Sequence, residues 1–240
     1  MTRTFAISAL PEQAIRYRRS HAVVAIDVFR ATTTIVTGVA QGRRVFPVPS
    51  EVEALKVAAG LTAPLLVGEV AGIRPTAFAM NNSPAALDRT TDHRPLIVLS
   101  SAGTRLLALA AGACEVYVAC LRNLSATTND VIERQSRVAL IGAGARGLPR
   151  PEDSLACGWI GRALLDAGFE PEDEASASEV RHWDGADIAA LREGPSADFL
   201  RSSGQTDDID FVLTHVDDLD LVVRYDGREA LMRVSAEAGP

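Results

Sequence analysis

The 240-residue chain contains a single lysine, Lys56, so arginine carries nearly all of its positive charge. Arginine offers a fixed fork of donors that suits carboxylate and phosphate groups, although a compositional bias of the genome explains the excess equally well. The net charge of −7 argues against nucleic acid and anionic membrane surfaces as partners. A small anion is a suitable ligand only where several arginines cluster.

Cysteine is scarce as well. Cys114, Cys120 and Cys157 form neither an even framework nor a C-x-x-C motif, which predicts a reducing, cytoplasmic location. The four histidines show no zinc-ligand spacing. No stretch approaches 18 uncharged apolar residues, so we expect no transmembrane helix, and the N-terminal apolar run lacks the form of a signal peptide.

Apolar runs of strand length alternate with helical patterns through most of the chain. Strands are predicted over 22–28, 43–48, 64–69, 95–101, 115–120 and 137–143, and helices over 32–42, from Ser50 onward, 103–113, 124–135 and 152–168. This alternation predicts an α/β fold with a layered, mostly parallel sheet and helices on both faces.

The last third of the chain has a different pattern. Residues 170–179 are acidic and small, which predicts a linker or solvated loop, and residues 182–204 predict short helices broken at Pro195. Residues 218–234 predict a hairpin with a D-G turn. We therefore expect a main α/β region, 1–170, that holds the site. A C-terminal α+β portion, 171–240, would pack on it, with one continuous domain as the alternative.

Polar side chains follow several predicted strands at the point where each strand ends. In a parallel sheet these ends lie along one edge, where carboxylate, hydroxyl and amide oxygens together suit Mg²⁺. The less specific interpretation is that Asp and Thr merely cap the following helices. The residues concerned are Asp27, Arg30, Glu69, Asn82, Ser83, Ser100, Ser101, Glu152 and Asp153.

The segment "GAGARG", residues 142–147, matches the G-x-G-x-x-G dinucleotide fingerprint and follows a predicted strand. Pro149 and Pro151 come directly afterwards and would break the helix that cradles a pyrophosphate. We therefore expect a glycine-rich turn that admits a small anion rather than NAD.

Several blocks, in order, resemble the 2-phosphosulfolactate phosphatase family of coenzyme M biosynthesis. "AIDVFRATTTIVTGVAQG" is similar to the strand-helix signature of that family, and "GE" and "NNSP" are similar to its "GER-x-G" and "GNSP" elements. "SSAGTR", "EDSLACG", "FLRSSGQTDDIDF" and "DLDLVVRYDG" stand where the family has related blocks. The resemblance covers residues 22–228.

The resemblance implies a Mg²⁺-dependent phosphatase that hydrolyses a small acidic phosphoester such as 2-phospho-3-sulfolactate. A homo-oligomer is left open. The implied catalytic residues are Asp27, Arg30, Glu69, Glu152 and Asp153, of which Asp27, Glu69 and Asp153 would hold the metal. The implied substrate-binding residues are Thr32, Thr33, Asn82, Ser83, Ser101, Gly103, Thr104 and Arg105.

The chain departs from the family at two positions. Val70 stands where the family has Arg, and Ala102 where it has Asn. An altered specificity, or a non-catalytic anion-binding relative, is therefore the alternative hypothesis, with Arg74 or Arg146 as replacements for the missing arginine. Asp27 could act as a nucleophile instead of a metal ligand, whereas Cys157, inside a helical pattern, is interpreted as a packing residue.

Overall fold

Ten strands form one mixed sheet in the computed structural model, which describes residues 2–233. The order across the sheet is β4-β5-β3-β10-β9-β6-β2-β7-β1-β8. The strands are β1 (Thr4–Ser8), β2 (Ala22–Ile26), β3 (Val45–Val48), β4 (Leu65–Gly68), β5 (Leu96–Leu99), β6 (Val116–Ala119), β7 (Arg137–Gly142), β8 (Glu170–Pro171), β9 (Val223–Tyr225) and β10 (Ala230–Met232). The predicted α/β class with a mostly parallel sheet is confirmed.

The helices follow the strands with the predicted alternation. They are α1 (Ala14–Tyr17), α2 (Ala31–Ala40), α3 (Glu51–Ala59), α4 (Pro84–Asp88), α5 (Gly103–Ala110), α6 (Leu124–Arg134), α7 (Pro151–Asp166), α8 (Glu174–Trp183), α9 (Pro195–Ser202) and α10 (Thr206–Thr214). Short 3-10 turns cover Pro11–Gln13, Leu121–Asn123 and Ile188–Arg192. The hydroxyl of Ser50 accepts the Glu53 N–H at the start of α3, as its sequence predicts.

Strand β2 is buried on both faces, which explains its unbroken apolar run. Val23 and Ala25 belong to one core, which α1, α2 and α5 cover. Val24 and Ile26 belong to the opposite core, which α6, α7 and α8 cover. Helices therefore lie on both faces of the sheet, as predicted.

The parallel strands fall into two blocks that run in opposite directions. Strands β4, β5 and β3 are parallel to one another, as are β6, β2, β7, β1 and β8. The antiparallel hairpin β9–β10 lies between the blocks, and three successive antiparallel pairings reverse the direction. The expectation that every strand end lies on one edge of a single parallel sheet is therefore wrong. Helices α2 and α5 nevertheless pack against strands of both blocks.

Several regular segments were not expected from the sequence, among them α1, α4, α10 and the two described here. The short strand β1 pairs in parallel with β7 and β8, although its five residues carry too little apolar periodicity to signal a strand. The predicted loop over 170–179 is wrong, because β8 and the start of α8 occupy it. Helix α8 is capped by Asp173 and buries a narrow stripe that contains Ser176 and Val180.

The predicted C-terminal hairpin is confirmed as β9 and β10, with its turn at Asp226–Glu229; Val234, at the end of the predicted segment, lies outside the described residues. The hairpin lies inside the sheet rather than beside it. The division of the chain at residue 170 stays a prediction. In residues 2–233, no helix has the length and apolar character needed to cross a membrane.

Candidate active site

A cavity of about 260 Å³ lies among the loops that follow β2, β4, β5 and β7 and is closed by α9. Cavities for drug-sized ligands measure roughly 300–1,000 Å³, so this one suits a smaller molecule. Its lining residues are Asp27, Phe29, Arg30, Glu69, Ala71, Gly72, Asn82, Ser100, Ser101, Ala102, Gly144, Ala145, Arg146, Arg150, Pro195, Ser196, Phe199 and Leu200.

The turn between β2 and α2 places Asp27 in the cavity wall. The hydroxyl of Thr32 accepts the Asp27 N–H at 2.9 Å and donates to the Asp27 carbonyl at 2.8 Å. The hydroxyl of Thr33 donates to the Val28 carbonyl at 2.8 Å. Both threonines are buried and lie outside the cavity lining. Thr32 and Thr33 therefore stabilise the turn between β2 and α2. Their predicted contact with substrate has no geometric support.

The Asp27 carboxyl group is almost completely buried, with 5% of the residue exposed. Burial raises its pKa to about 7, a hydrogen bond from the Ala31 backbone opposes the rise, and the charges of Glu69 and Glu152 add to it. The charge of Arg30 lowers this pKa, but by less than the other causes. The raised pKa reflects the cost of a negative charge at this buried position, and a bound cation would reduce that cost.

Gly103, the first residue of α5, lies directly against Asp27. A Cβ atom at this position would overlap Asp27 Oδ2 and would lie 2.6 Å from Ala31 Cβ. The absence of a side chain therefore lets the start of α5 approach the carboxylate. Gly103 was predicted to bind substrate, and the structure instead shows it making room for Asp27.

Arg30 lines the cavity and forms a buried ion pair with Asp208 of α10. The Nη1–Oδ2 distance is 2.6 Å, and the same Nη1 donates to Gln205 Oε1 at 2.5 Å. The side chains of Arg30 and Asp208 are 5% and 1% exposed. Two residues of the C-terminal portion of the chain, Gln205 and Asp208, therefore fix the position of Arg30.

The other oxygen of Asp208 accepts the Ser83 hydroxyl at 2.6 Å and the Ala85 N–H at 3.1 Å. Ser83 also caps α4 by accepting the Ala86 N–H. Ser83 was expected to touch substrate, but it lies outside the cavity lining. Asp208 joins α10, the start of α4 and Arg30, and our sequence analysis missed it. The similarity of the block "FLRSSGQTDDIDF" to the family was the sequence signal that could have identified Asp208.

Glu69 follows β4 and holds two loops at the cavity edge. Its Oε1 accepts the Ser101 N–H at 2.7 Å, and its Oε2 accepts the Gly72 N–H at 2.5 Å and the Ser101 hydroxyl at 3.2 Å. The Ser101 hydroxyl in turn accepts the Ala71 N–H at 2.7 Å. The structure brings Glu69 and Ser101 together in the lining, as predicted, but their polar groups already bond to each other and to these loops.

Asn82 carries a buried oxygen with no partner. The residue is 2% exposed and lines the cavity, and its Oδ1 accepts no hydrogen bond from any residue between 2 and 233. An unpaired buried acceptor costs free energy, so this oxygen is available to a ligand. Its predicted role in binding therefore has geometric support.

Glu152 and Asp153 open α7 beneath the cavity floor and lie outside the lining. Asp153 Oδ1 accepts the Val28 N–H at 2.8 Å, and Oδ2 accepts the Gly144 N–H at 2.9 Å. Burial raises the pKa of both carboxyl groups, and the charge of Asp27 raises that of Asp153 further. Asp153 therefore ties the Asp27 turn to the glycine turn, and its direct contact with substrate is not supported.

Thr104 and Arg105 lie on α5 but do not reach the cavity. The Thr104 hydroxyl accepts the Ser100 N–H and donates to the Ser100 carbonyl, both at 2.8 Å. Arg105 is exposed and pairs with Glu12. The structure does not form the predicted phosphate clamp, because Arg105 lies on the exposed face of α5 and outside the cavity lining.

The glycine turn after β7 differs from a dinucleotide cradle. Gly144, Arg146 and Gly147 have positive φ values of 58°, 54° and 74°, and Ala145 pairs with Leu148 across a tight turn. Helix α7 starts only at Pro151. The turn thus presents Arg146 and Arg150, rather than a helix N-terminus, to the cavity.

The predicted metal set of Asp27, Glu69 and Asp153 is not assembled. No group of three His, Cys, Asp or Glu residues in the described chain is arranged to hold a metal ion. However, Mg²⁺ in proteins often uses one or two carboxylates, several waters and substrate phosphate oxygens. Asp27 and the free Oδ1 of Asn82 are hard oxygen donors on one cavity, so the residues present fit that mode.

The remaining residues considered in the sequence analysis are Cys157 and two arginines, Arg74 and Arg146, that could replace the family arginine missing at Val70. Cys157 is 1% exposed, and burial raises the pKa of its thiol, which supports the packing interpretation. Arg74 donates to the Phe78 carbonyl and lies outside the lining, whereas Arg146 lies within it.

These features define an α/β protein with a small cavity that is lined by three arginines and a buried carboxyl group. A family model described as 2-phosphosulpholactate phosphatase matches residues 8–228. A "Probable 2-phosphosulfolactate phosphatase" of Synechococcus sp. (strain CC9605) is 32% identical over 209 residues, covering 82% of this chain and 86% of the relative. Proteins described in the same words from Caldanaerobacter subterraneus subsp. tengcongensis and Clostridium beijerinckii are 29% and 27% identical, over 90% and 88% of this chain and 91% of each relative.

The chain therefore belongs to the 2-phosphosulfolactate phosphatase family, whose members are phosphoric monoester hydrolases. The family resemblance inferred from the sequence blocks is confirmed.

Proposed function

We propose that this protein hydrolyses a small acidic phosphoester of the 2-phospho-3-sulfolactate type to phosphate and the 2-hydroxy acid, with Mg²⁺ as cofactor. The observation that carries the proposal is the pairing, in one small cavity, of a buried Asp27 carboxyl group with a fixed arginine, Arg30. Family membership supports the reaction class.

Mg²⁺ would be held by the Asp27 carboxylate and Asn82 Oδ1, together with oxygens of the phosphate. When bound, it supplies charge neutralisation for the phosphate group. Asp27 is the favoured protein ligand because Asp153 lies outside the cavity lining and Glu69 already holds the Gly72 and Ser101 loops.

The chain itself supplies positioning and charge. Arg30, held by Asp208 and Gln205, would bind the phosphate with its remaining N–H groups. Asp27 has a second chemical use, since a carboxyl group with a pKa of about 7 can accept a proton from an attacking water near neutral pH. Pre-positioned groups of this kind supply most of the catalysis in phosphoryl transfer.

The test measures phosphate release from a panel of phosphorylated 2-hydroxy acids, with MgCl₂ or with EDTA. We expect release only with Mg²⁺. Asp27→Asn should stay folded and lose about 10²-fold or more in turnover, because Asn replaces the cap but not the charge. Titrating Mg²⁺ against the Tm of this variant separates the two uses of Asp27: lost binding identifies a ligand, and retained binding identifies a base or nucleophile.

Two results would contradict the proposal. Full turnover after exhaustive EDTA treatment would show that the reaction does not require Mg²⁺. Saturable binding of the esters without any phosphate release would favour the non-catalytic anion-binding alternative, which Val70 and Ala102 motivate. We also propose a cytoplasmic location, supported by three cysteines that are all free thiols.

A further inference from the structure

Two arginines of the loop between β7 and α7 line the cavity without a carboxylate partner. Arg146 is exposed at the tip of the glycine turn, and Arg150 is half-buried immediately before α7. In the part of the chain from residue 2 to 233, neither guanidinium lies within 4.0 Å of a carboxylate oxygen. The third cavity arginine, Arg30, differs because Asp208 offsets its charge.

Arg150 has an unmet hydrogen-bonding group. Its Nε is buried and has no acceptor within the described chain, and an unsatisfied buried donor costs free energy unless a ligand accepts its hydrogen bond. Because no carboxylate of the described residues pairs with this guanidinium and the residue lines the cavity, its positive charge is available to a ligand there.

The backbone holds Arg146 in an uncommon conformation. Its φ of 54° lies in the left-handed region, which non-glycine residues adopt rarely and mostly where the surrounding structure requires it. Asp153 fixes the base of the turn through the Gly144 N–H, and the Ala145–Leu148 pairing closes it. The turn is thus preformed, with Arg146 at its tip.

The wall formed by the β5–α5 turn carries no cation. Ala102 lines the cavity there, and Val70 is 48% exposed outside it. The charge available to a non-reacting acid group of the substrate therefore comes from the β7–α7 loop.

We propose that Arg146 and Arg150 form a second anion subsite, which binds the carboxylate or sulfonate of the substrate while its phosphate lies at Arg30. Arginine suits both groups because its planar fork donates two hydrogen bonds at once. The subsite rests on the proposed phosphatase reaction for its role in turnover, but its affinity for an acid can be measured without turnover.

The test is calorimetric titration with 3-sulfolactate and with inorganic phosphate. Arg146→Gln and Arg150→Gln should each weaken 3-sulfolactate binding about tenfold or more and leave phosphate binding close to wild type. Arg30→Gln should show the opposite pattern. Arg162→Gln is the matched control, because Arg162 is exposed on helix α7, which follows this loop, and pairs with Asp166 rather than lining the cavity. Unchanged Tm values establish that the variants are folded.

Separate titrations with lactate and with isethionate show whether the subsite takes the carboxylate or the sulfonate. The subsite is overturned if wild type fails to bind 3-sulfolactate, if neither loop variant weakens that binding, or if both weaken phosphate binding equally. Arginine-dependent binding of 3-sulfolactate without phosphate release from any ester would uphold the subsite and refute the proposed reaction.

Discussion

At the scale of single residues, the site depends on keeping one carboxyl group in an unfavourable place. Asp27 ends a strand buried on both faces, and burial of a charge is costly unless a partner offsets it. Its pKa of about 7 in the folded protein is well above its ordinary 3.8. This difference links the stability of the fold to pH.

Metal-free protein should lose stability as pH rises from about 5 to about 8. The folded state keeps a proton on Asp27 that the unfolded state has released, so this contribution is complete below pH 3.8 and is lost as pH rises through about 7. We expect the Tm in EDTA to fall by about 2–4 °C for each kcal/mol lost. Asp27→Asn should show a smaller fall. A wild-type Tm that is flat or rises across this range would contradict the raised pKa.

The close approach of Gly103 to Asp27 makes a second prediction at this scale. Gly103→Ala places a Cβ atom on Asp27 Oδ2 and against Ala31, and overpacking of this kind costs about 1–3 kcal/mol. We expect a lower Tm and, because the carboxylate is displaced, a reduced kcat. Gly60→Ala is the control, since its Cβ atom would have no neighbour nearer than 3.7 Å. Wild-type stability and turnover in Gly103→Ala would refute the role assigned to this glycine.

At the scale of elements, α10 controls a turn that is distant in sequence. Asp208 joins Arg30 to the start of α4 through three contacts: the ion pair with Arg30 and hydrogen bonds from the Ser83 hydroxyl and the Ala85 N–H. The network holds the arginine in one orientation at the cavity. Asp208 is therefore a positioning residue rather than a group that touches substrate.

Asp208→Asn should lower both stability and kcat. Removing one partner of a buried ion pair costs about 3–5 kcal/mol, and the amide oxygen that Asn retains places the loss near the lower end. In an Arg30→Gln background the same change should cause little further loss of kcat, because the two act as one unit. Additive losses of kcat would contradict the positioning role.

The neighbouring Asp207 is the matched control on α10. Its side chain is 73% exposed and pairs with exposed Arg89. Asp207→Asn should change stability by no more than about 0.5 kcal/mol and should leave turnover at the wild-type level.

At the scale of the whole molecule, the C-terminal hairpin joins the two blocks of the sheet. Strand β9 pairs with β6 and strand β10 pairs with β3. Without them, two inner strands would expose unpaired N–H and C=O groups. The C-terminal portion also supplies Asp208 and one wall of the cavity.

A fragment of residues 1–170 should therefore fail to fold alone. We expect it to lack the single cooperative thermal transition of the full chain, as measured by circular dichroism, and to aggregate through its exposed strand edges. A cooperative transition in the fragment would instead support the division of the chain at residue 170.

The local pattern of the sequence determined most of the regular structure. Strand β2 and helix α3 are recognisable because an apolar run and a capping serine, Ser50, are properties of neighbouring residues. The order of the family blocks identified the reaction class in the same way. Strand β1 and helix α8 escaped prediction because each buries too few apolar residues to form a clear period.

Only the tertiary structure decided which polar residues reach the cavity. Thr32, Thr33 and Arg105 share a short stretch with true lining residues, but helix rotation turns their side chains toward the backbone or solvent. Asp208 and Arg150 became significant through contacts with distant segments. The reversal between the two parallel blocks likewise depends on strand pairing. A sequence records which groups are present, whereas partners far along the chain decide where each group points.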